Sequence, residues 1–141
     1  MKVPFASFEP MHNELKEGLE SAFRTVMEKN YFIQESECAA FDKEFAEYCN
    51  ARYCVGVDNG LNALYLILKA YEIGMGDEVI VPSNTYIATA LAVTFTGAKP
   101  VFVEPELATY NIDVTRIEAA ITDKTKAIMP VHLQGRPADM D

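Results

Sequence analysis

The chain has 141 residues, half of them apolar, and 12 basic against 21 acidic side chains give a formal net charge of −9. That length suits one domain with a sizeable core, and the acidity argues against a nucleic-acid surface or an anionic membrane partner. Three cysteines, Cys38, Cys49 and Cys54, form no CxxC pair, which fits a reducing compartment and excludes a disulfide framework or a zinc knuckle. Met1-Lys2-Val3-Pro4 leads quickly into polar sequence, so no signal peptide is expected. No apolar run approaches membrane-spanning length, and the expected location is cytoplasmic.

Val3 to Pro10 reads as an extended arm carrying Phe5 and Phe8. Met11 to Lys29 is amphipathic, with Leu15, Leu19, Phe23 and Val26 as its stripe. Tyr31-Phe32-Ile33 is an apolar bridge. Ser36, flanked by Glu35 and Glu37, opens a second helix with Phe41, Phe45, Tyr48 and Cys49 as its inner face. Residues 1–50 thus form an arm with two helices.

From residue 51 onward, strand, turn and helix alternate. The expected strands are Tyr53–Val57, Glu78–Val81, Pro100–Val103 and Lys126–Val131. Helices are expected near Leu61–Tyr71, Tyr86–Thr96 and Val114–Ile121, with glycines at the returns. Apolar strands joined by helices imply an α/β fold, a mostly parallel sheet with helices on both faces.

In such a sheet, ligands bind outside the carboxyl ends of the strands. Asp58–Asn62, Pro82–Tyr86, Glu104–Glu106 and His132–Gly135 reach that edge. The Asn59-Gly60 turn opens a helix, and a helix N-terminus offers unpaired N–H groups to a phosphate. It matches neither the Walker pattern nor GxGxxG. Ser83, Asn84 and Thr85 read as capping residues ahead of Tyr86, whose ring could stack on a flat, electron-poor cofactor. His132 follows an apolar strand and reads as packed or backbone-bonded; no metal set or Gly-x-Ser-x-Gly elbow accompanies it.

An ordered set of motifs carries a resemblance. Asn59-Gly60-Leu61-Asn62-Ala63-Leu64, Gly76-Asp77-Glu78-Val79-Ile80-Val81-Pro82 and Ser83-Asn84-Thr85-Tyr86-Ile87-Ala88-Thr89 come first. Pro100-Val101-Phe102-Val103-Glu104, Thr109-Tyr110-Asn111-Ile112-Asp113, Pro130-Val131-His132-Leu133 and Pro137-Ala138-Asp139-Met140-Asp141 follow. Together, and with Pro4-Phe5 and Tyr31-Phe32-Ile33, they resemble the DegT/DnrJ/EryC1/StrS aminotransferases, pyridoxal-phosphate (PLP) enzymes acting on keto-sugar nucleotides.

The resemblance implies the N-terminal part of the large domain of an aspartate-aminotransferase-like, fold type I enzyme, with residues 51–141 as the first part of the PLP-binding domain. It implies that Gly60, Leu61 and Asn62 hold the PLP phosphate and that Tyr86 stacks on the pyridine ring. Leu61 stands where many members have threonine, so backbone N–H groups replace a hydroxyl contact. Gln134 replaces a common tyrosine. Substrate contacts are implied at Phe5, Tyr31 and Thr85. The family chain continues past Asp141, and its Schiff-base lysine and the aspartate pairing with the pyridine nitrogen lie there. Of the eight lysines here, Lys99 and Lys126 precede or start strands, Lys69 lies inside a helix, and Lys2, Lys16, Lys29, Lys43 and Lys124 read as surface. No catalytic residue is therefore assigned within the chain. The implied partners are glutamate, a keto-sugar nucleotide (most similar to dTDP-3-keto-6-deoxyhexose users) and a second subunit in a homodimer, with no nucleic acid, membrane or metal. The alternatives are a sugar dehydratase of the same family, with histidine in place of that lysine, and a non-catalytic binding module.

Overall fold

The computed structural model describes residues 3–141; Met1 and Lys2, and the readings made on them, lie outside the described residues. The chain divides into two compact units, residues 1–56 and 57–141.

In the first unit, α1 spans Glu9–Lys29 and α2 spans Ser36–Tyr48. Pro10 lies in the first turn of α1, where its missing N–H costs no intrahelical bond. Asn30 closes α1 in the left-handed conformation (φ 52°), which asparagine tolerates better than most residues. Across the turn, Lys29 Nζ donates to Ser36 Oγ (2.8 Å) and to the Glu37 carboxylate. The expected stripes exist, but they are not inner faces. Leu15, Leu19 and Phe23 are exposed on α1, and Phe41 and Phe45 stack on each other at 5.4 Å while remaining half open to solvent. Ala46 is the one buried residue described in this unit.

The expected strand over Tyr53–Val57 does not form. A strand needs a neighbour to take its backbone hydrogen bonds, and among the described residues no ladder involves it. Tyr53, Val55 and Val57 are accordingly exposed.

The second unit holds the sheet. Helix α3 (Gly60–Ala70) is followed by β1 (Glu78–Pro82), α4 (Ala88–Phe95), β2 (Lys99–Val103), a 3₁₀ turn (Val114–Arg116) running into α5 (Ile117–Ala120), and β3 (Thr125–Ile128). The strand order is β2-β1-β3, all parallel. Register runs Glu78 to Lys99 through Pro82 to Val103 on one side and Ile80 to Ile128 on the other. The chain steps from β1 out to β2, then back across β1 to β3. With right-handed crossovers, steps in opposite directions put their helices on opposite faces. The core is divided accordingly: Val79 and Val81 pack with Leu68, Ala92 and Val93 of α3 and α4, while Ile80 packs with Val103, Ile112 and Ile117 on the other side. Val79, Ile80 and Val81 are fully buried, each worth about 1.5–3 kcal/mol of burial.

Three boundaries differ from expectation for local reasons. Strand β3 stops short of Val131, its ladder ending with the bond from Met129 N–H to Ile80 O (2.8 Å), because Pro130 has no N–H to offer. Helix α4 begins at Ala88 rather than Tyr86, after a turn over 83–85. The expected Val114–Ile121 helix is a 3₁₀ turn plus one α-helical turn, capped by Asp113, whose carboxylate accepts from Thr115 N–H (3.0 Å). Gly97 (φ 88°) supplies the left-handed residue that ends α4. At the amino ends of the strands, buried Glu78 accepts from Lys99 Nζ (2.9 Å) and Thr122 Oγ1 (2.8 Å).

Candidate functional site

The first turn of α3 is built by three side chains. Asn59, extended at φ −163° and ψ 169°, accepts the Asn62 N–H on its side-chain oxygen at 2.9 Å and so caps the helix. Asp58 accepts from Asn59 Nδ2 (3.0 Å) and from Asn62 Nδ2 (2.8 and 2.9 Å), placing a carboxylate near the positive end of the helix. Leu61 is half-buried and packs against the core beneath it, fixing the turn to the sheet.

This bonding sorts the three residues implied to hold a phosphate. The N–H groups of Gly60 and Leu61 have no acceptor among the described residues and remain available. The Asn62 N–H is occupied by Asn59, and its side-chain amide by Asp58. Asn62 therefore shapes the turn, and the free donors are those of Gly60 and Leu61.

A cleft of about 750 Å³ opens above them, lined by Asn59, Gly60, Leu61 and Leu64 of the α3 end and by Tyr86, Ile87 and Leu91 of the α4 end. Its walls are mostly apolar and its size suits a small organic ligand. Tyr86 is 81% exposed, a ring at the rim with a free face. Helices α3 and α4 pack side by side, which is what brings Gly60, Leu61 and Tyr86 to one cleft.

Thr85 does not cap α4; its hydroxyl donates to the Thr89 hydroxyl at 3.2 Å, and the cap position is Ile87, without a side-chain bond. Asn84, also read as a cap, instead donates to Tyr110 O at 2.9 Å. Phe5 and Tyr31 belong to the first unit and are exposed. His132 is backbone-bonded as expected: its Nδ1 accepts from Ala138 N–H at 3.0 Å, which leaves the ring proton of the neutral form on Nε2. No lysine lines the cleft among the described residues. The described residues also contain no group of three or more His, Cys, Asp or Glu placed to hold a metal, and no helix long and apolar enough to cross a membrane.

Comparisons with known proteins identify relatives of the chain as a whole. The chain is 50% identical over 139 residues to the dTDP-3-amino-3,6-dideoxy-alpha-D-galactopyranose transaminase of Aneurinibacillus thermoaerophilus, covering 99% of this chain and 38% of that protein. It is 46% identical over 140 residues to the dTDP-3-amino-3,4,6-trideoxy-alpha-D-glucose transaminase of Streptomyces venezuelae, covering 99% and 37%. Among solved structures it superposes on S. venezuelae DesV in complex with a ketimine intermediate, with a TM-score of 0.93 and 45% identity over 99% of this chain and 38% of that one. The chain thus spans under two fifths of the length of these relatives. Its strand order, its helices on both faces and this superposition place it as an N-terminal portion of the fold type I large domain. With the family model matching residues 13–141, the chain belongs to the DegT/DnrJ/EryC1/StrS aminotransferase family.

Proposed function

We propose that the full-length protein is a PLP-dependent aminotransferase that moves an amino group from glutamate to a keto-sugar nucleotide, a dTDP-3-keto-6-deoxyhexose, in deoxyamino-sugar synthesis. The observation that carries this reading is the 50% identity, over nearly the whole chain, to a dTDP-sugar transaminase. The cleft supports it physically. The Gly60 and Leu61 N–H groups would hold the cofactor phosphate, the Tyr86 ring would cover one face of the pyridine, and the apolar walls would exclude water. Bound there, PLP supplies the electron sink that amino transfer needs. Asn59 and Asp58 keep the donor turn rigid, so the binding groups require no rearrangement when the phosphate arrives. The reading also includes a cytoplasmic homodimer.

The test is borohydride reduction of the full-length protein with PLP, followed by peptide mass mapping. A phosphopyridoxyl adduct on a lysine outside residues 1–141 supports the aminotransferase. Bound PLP without an adduct favours the dehydratase of the same family, and absence of PLP binding leaves a non-catalytic module. The nucleotide is decided by assay, because a GDP-perosamine synthase from Caulobacter vibrioides is also 54% identical over 101 residues. Turnover of a dTDP-linked 3-keto sugar with glutamate, and not of GDP-linked or 4-keto substrates, is the expected result.

A further inference from the structure

The three loops that leave the carboxyl ends of β1, β2 and β3 are laced together by two asparagine side chains. Asn111 is 4% exposed and uses its amide in three directions. Its Nδ2 donates to Arg136 O (3.1 Å) and Pro137 O (2.9 Å), and its Oδ1 accepts from Leu133 N–H (3.1 Å). One buried side chain thus holds the loop after β3 against the loop after β2. The latter is itself a small closed turn: Glu106 N–H donates to Asn111 O, Tyr110 N–H donates to Glu106 O, and Pro105 bridges Ile112.

The second stitch begins one residue away. Tyr110 is left-handed (φ 60°), an uncommon state for a tyrosine, and its carbonyl accepts from Asn84 Nδ2 at 2.9 Å. Asn84 lies two residues before Tyr86, in the loop after β1. A continuous path therefore runs from the β3 loop through Asn111, the Tyr110 carbonyl and Asn84 to the segment that carries Tyr86. Nothing in the path touches the cleft.

We propose that Asn84 and Asn111 are positioning residues that set the loop bearing Tyr86 and thereby its cofactor-facing ring, a role that rests on the PLP reading above. Asparagine suits position 111 because it supplies two donors to two carbonyls and one acceptor to an N–H. Aspartate would turn a carboxylate toward two carbonyl oxygens. Alanine would take the donor from the Arg136 and Pro137 carbonyls and leave Leu133 N–H with only its bond to Val131 O (2.9 Å).

The test uses the full-length protein and two readouts. In cofactor-free protein, Asn84→Ala and Asn111→Ala should each speed deuterium exchange of the hydrogen-bonded amides of Ser83, Thr89 and Leu91, which bond Val103 O, Tyr86 O and Ile87 O, by about fivefold, the equivalent of one neutral hydrogen bond. Exchange within β1 and β2 should stay at the native rate, whereas general destabilisation would raise it throughout. Both variants should weaken PLP binding by a similar factor, Asn84→Gln should recover part of the loss, and the double variant should be no worse than the more severe single one. Asn84 is exposed, so its variant folds even if Asn111→Ala does not. Native exchange at Ser83, Thr89 and Leu91 in Asn84→Ala, or strictly additive effects in the double variant, would overturn the proposal. A native protein that fails to bind PLP overturns the functional reading instead, while the exchange experiment still decides whether the two asparagines set the loop.

Discussion

Replacing Gly60 by proline separates the folding of α3 from the binding capacity of its first turn. Gly60 is the first helical residue, and Asn59 before it is extended (φ −163°, ψ 169°), the conformation that a following proline requires. Proline is favoured at that position because the N–H it lacks has no intrahelical acceptor. A Cβ built on Gly60 meets nothing within 4 Å. Gly60→Pro should therefore leave stability unchanged or raise it by about 0.4–1 kcal/mol, through the unfolded chain's lost freedom. Phosphate binding responds in the opposite direction, since one of the two free donors is gone. A hydrogen bond to a charged group is worth about 1.5–3 kcal/mol, so the Kd for PLP should rise about 10- to 150-fold. Gly60→Ala keeps the N–H and should bind near the native level. The assay is an absorbance titration of the full-length apoprotein with PLP in phosphate-free buffer, beside thermal unfolding without cofactor. A Gly60→Pro protein that melts like the native one and binds PLP within about threefold of it would refute the donor argument.

Tyr86→Phe should retain PLP affinity, while Tyr86→Ala should lose about 0.5–1.5 kcal/mol of stacking, measured by the same titration; equal affinities would remove the ring from the site. Ile80, fully buried in the central strand, should cost about 2–5 kcal/mol as Ile80→Ala and about 1 kcal/mol as Ile80→Val, read by urea unfolding. Lys99 first, and then Thr122, donate to Glu78 and hold its carboxyl below the ordinary glutamate range. Because the folded value is depressed, Glu78 stabilises fully above the ordinary glutamate range, and this contribution is lost as pH falls through the folded value. Glu78→Gln should flatten the acid limb of a Tm-against-pH curve, and an unaltered limb would count against the pair.

Much of the second unit was legible in order along the chain. Helix α3 carries its own cap and an apolar face at helical spacing, and β1 is a short apolar run whose every residue is buried. Gly60, Leu61 and Tyr86 could be placed at one edge because parallel strands joined by helices put their carboxyl-end loops on the same side. These features depend on chemistry within about four residues or on a rule that holds for any such sheet.

The tertiary structure decided the rest. Tyr53–Val57 has the composition of a strand, yet a strand exists only where a neighbour accepts its hydrogen bonds, and none does among the described residues. Leu15, Phe23 and Phe41 have the spacing of a core face, but spacing names a face without naming what covers it. The family resemblance implies Gly60, Leu61 and Asn62 alike as phosphate-holding residues, and only the folded turn shows that Asp58 and Asn59 occupy the Asn62 groups. Asn84 and Asn111 read locally as a cap candidate and an unassigned polar residue; their acceptors lie 26 residues away. Bonds of that span follow no sequence period, because the crossover connections, not the neighbouring residues, bring the two ends together.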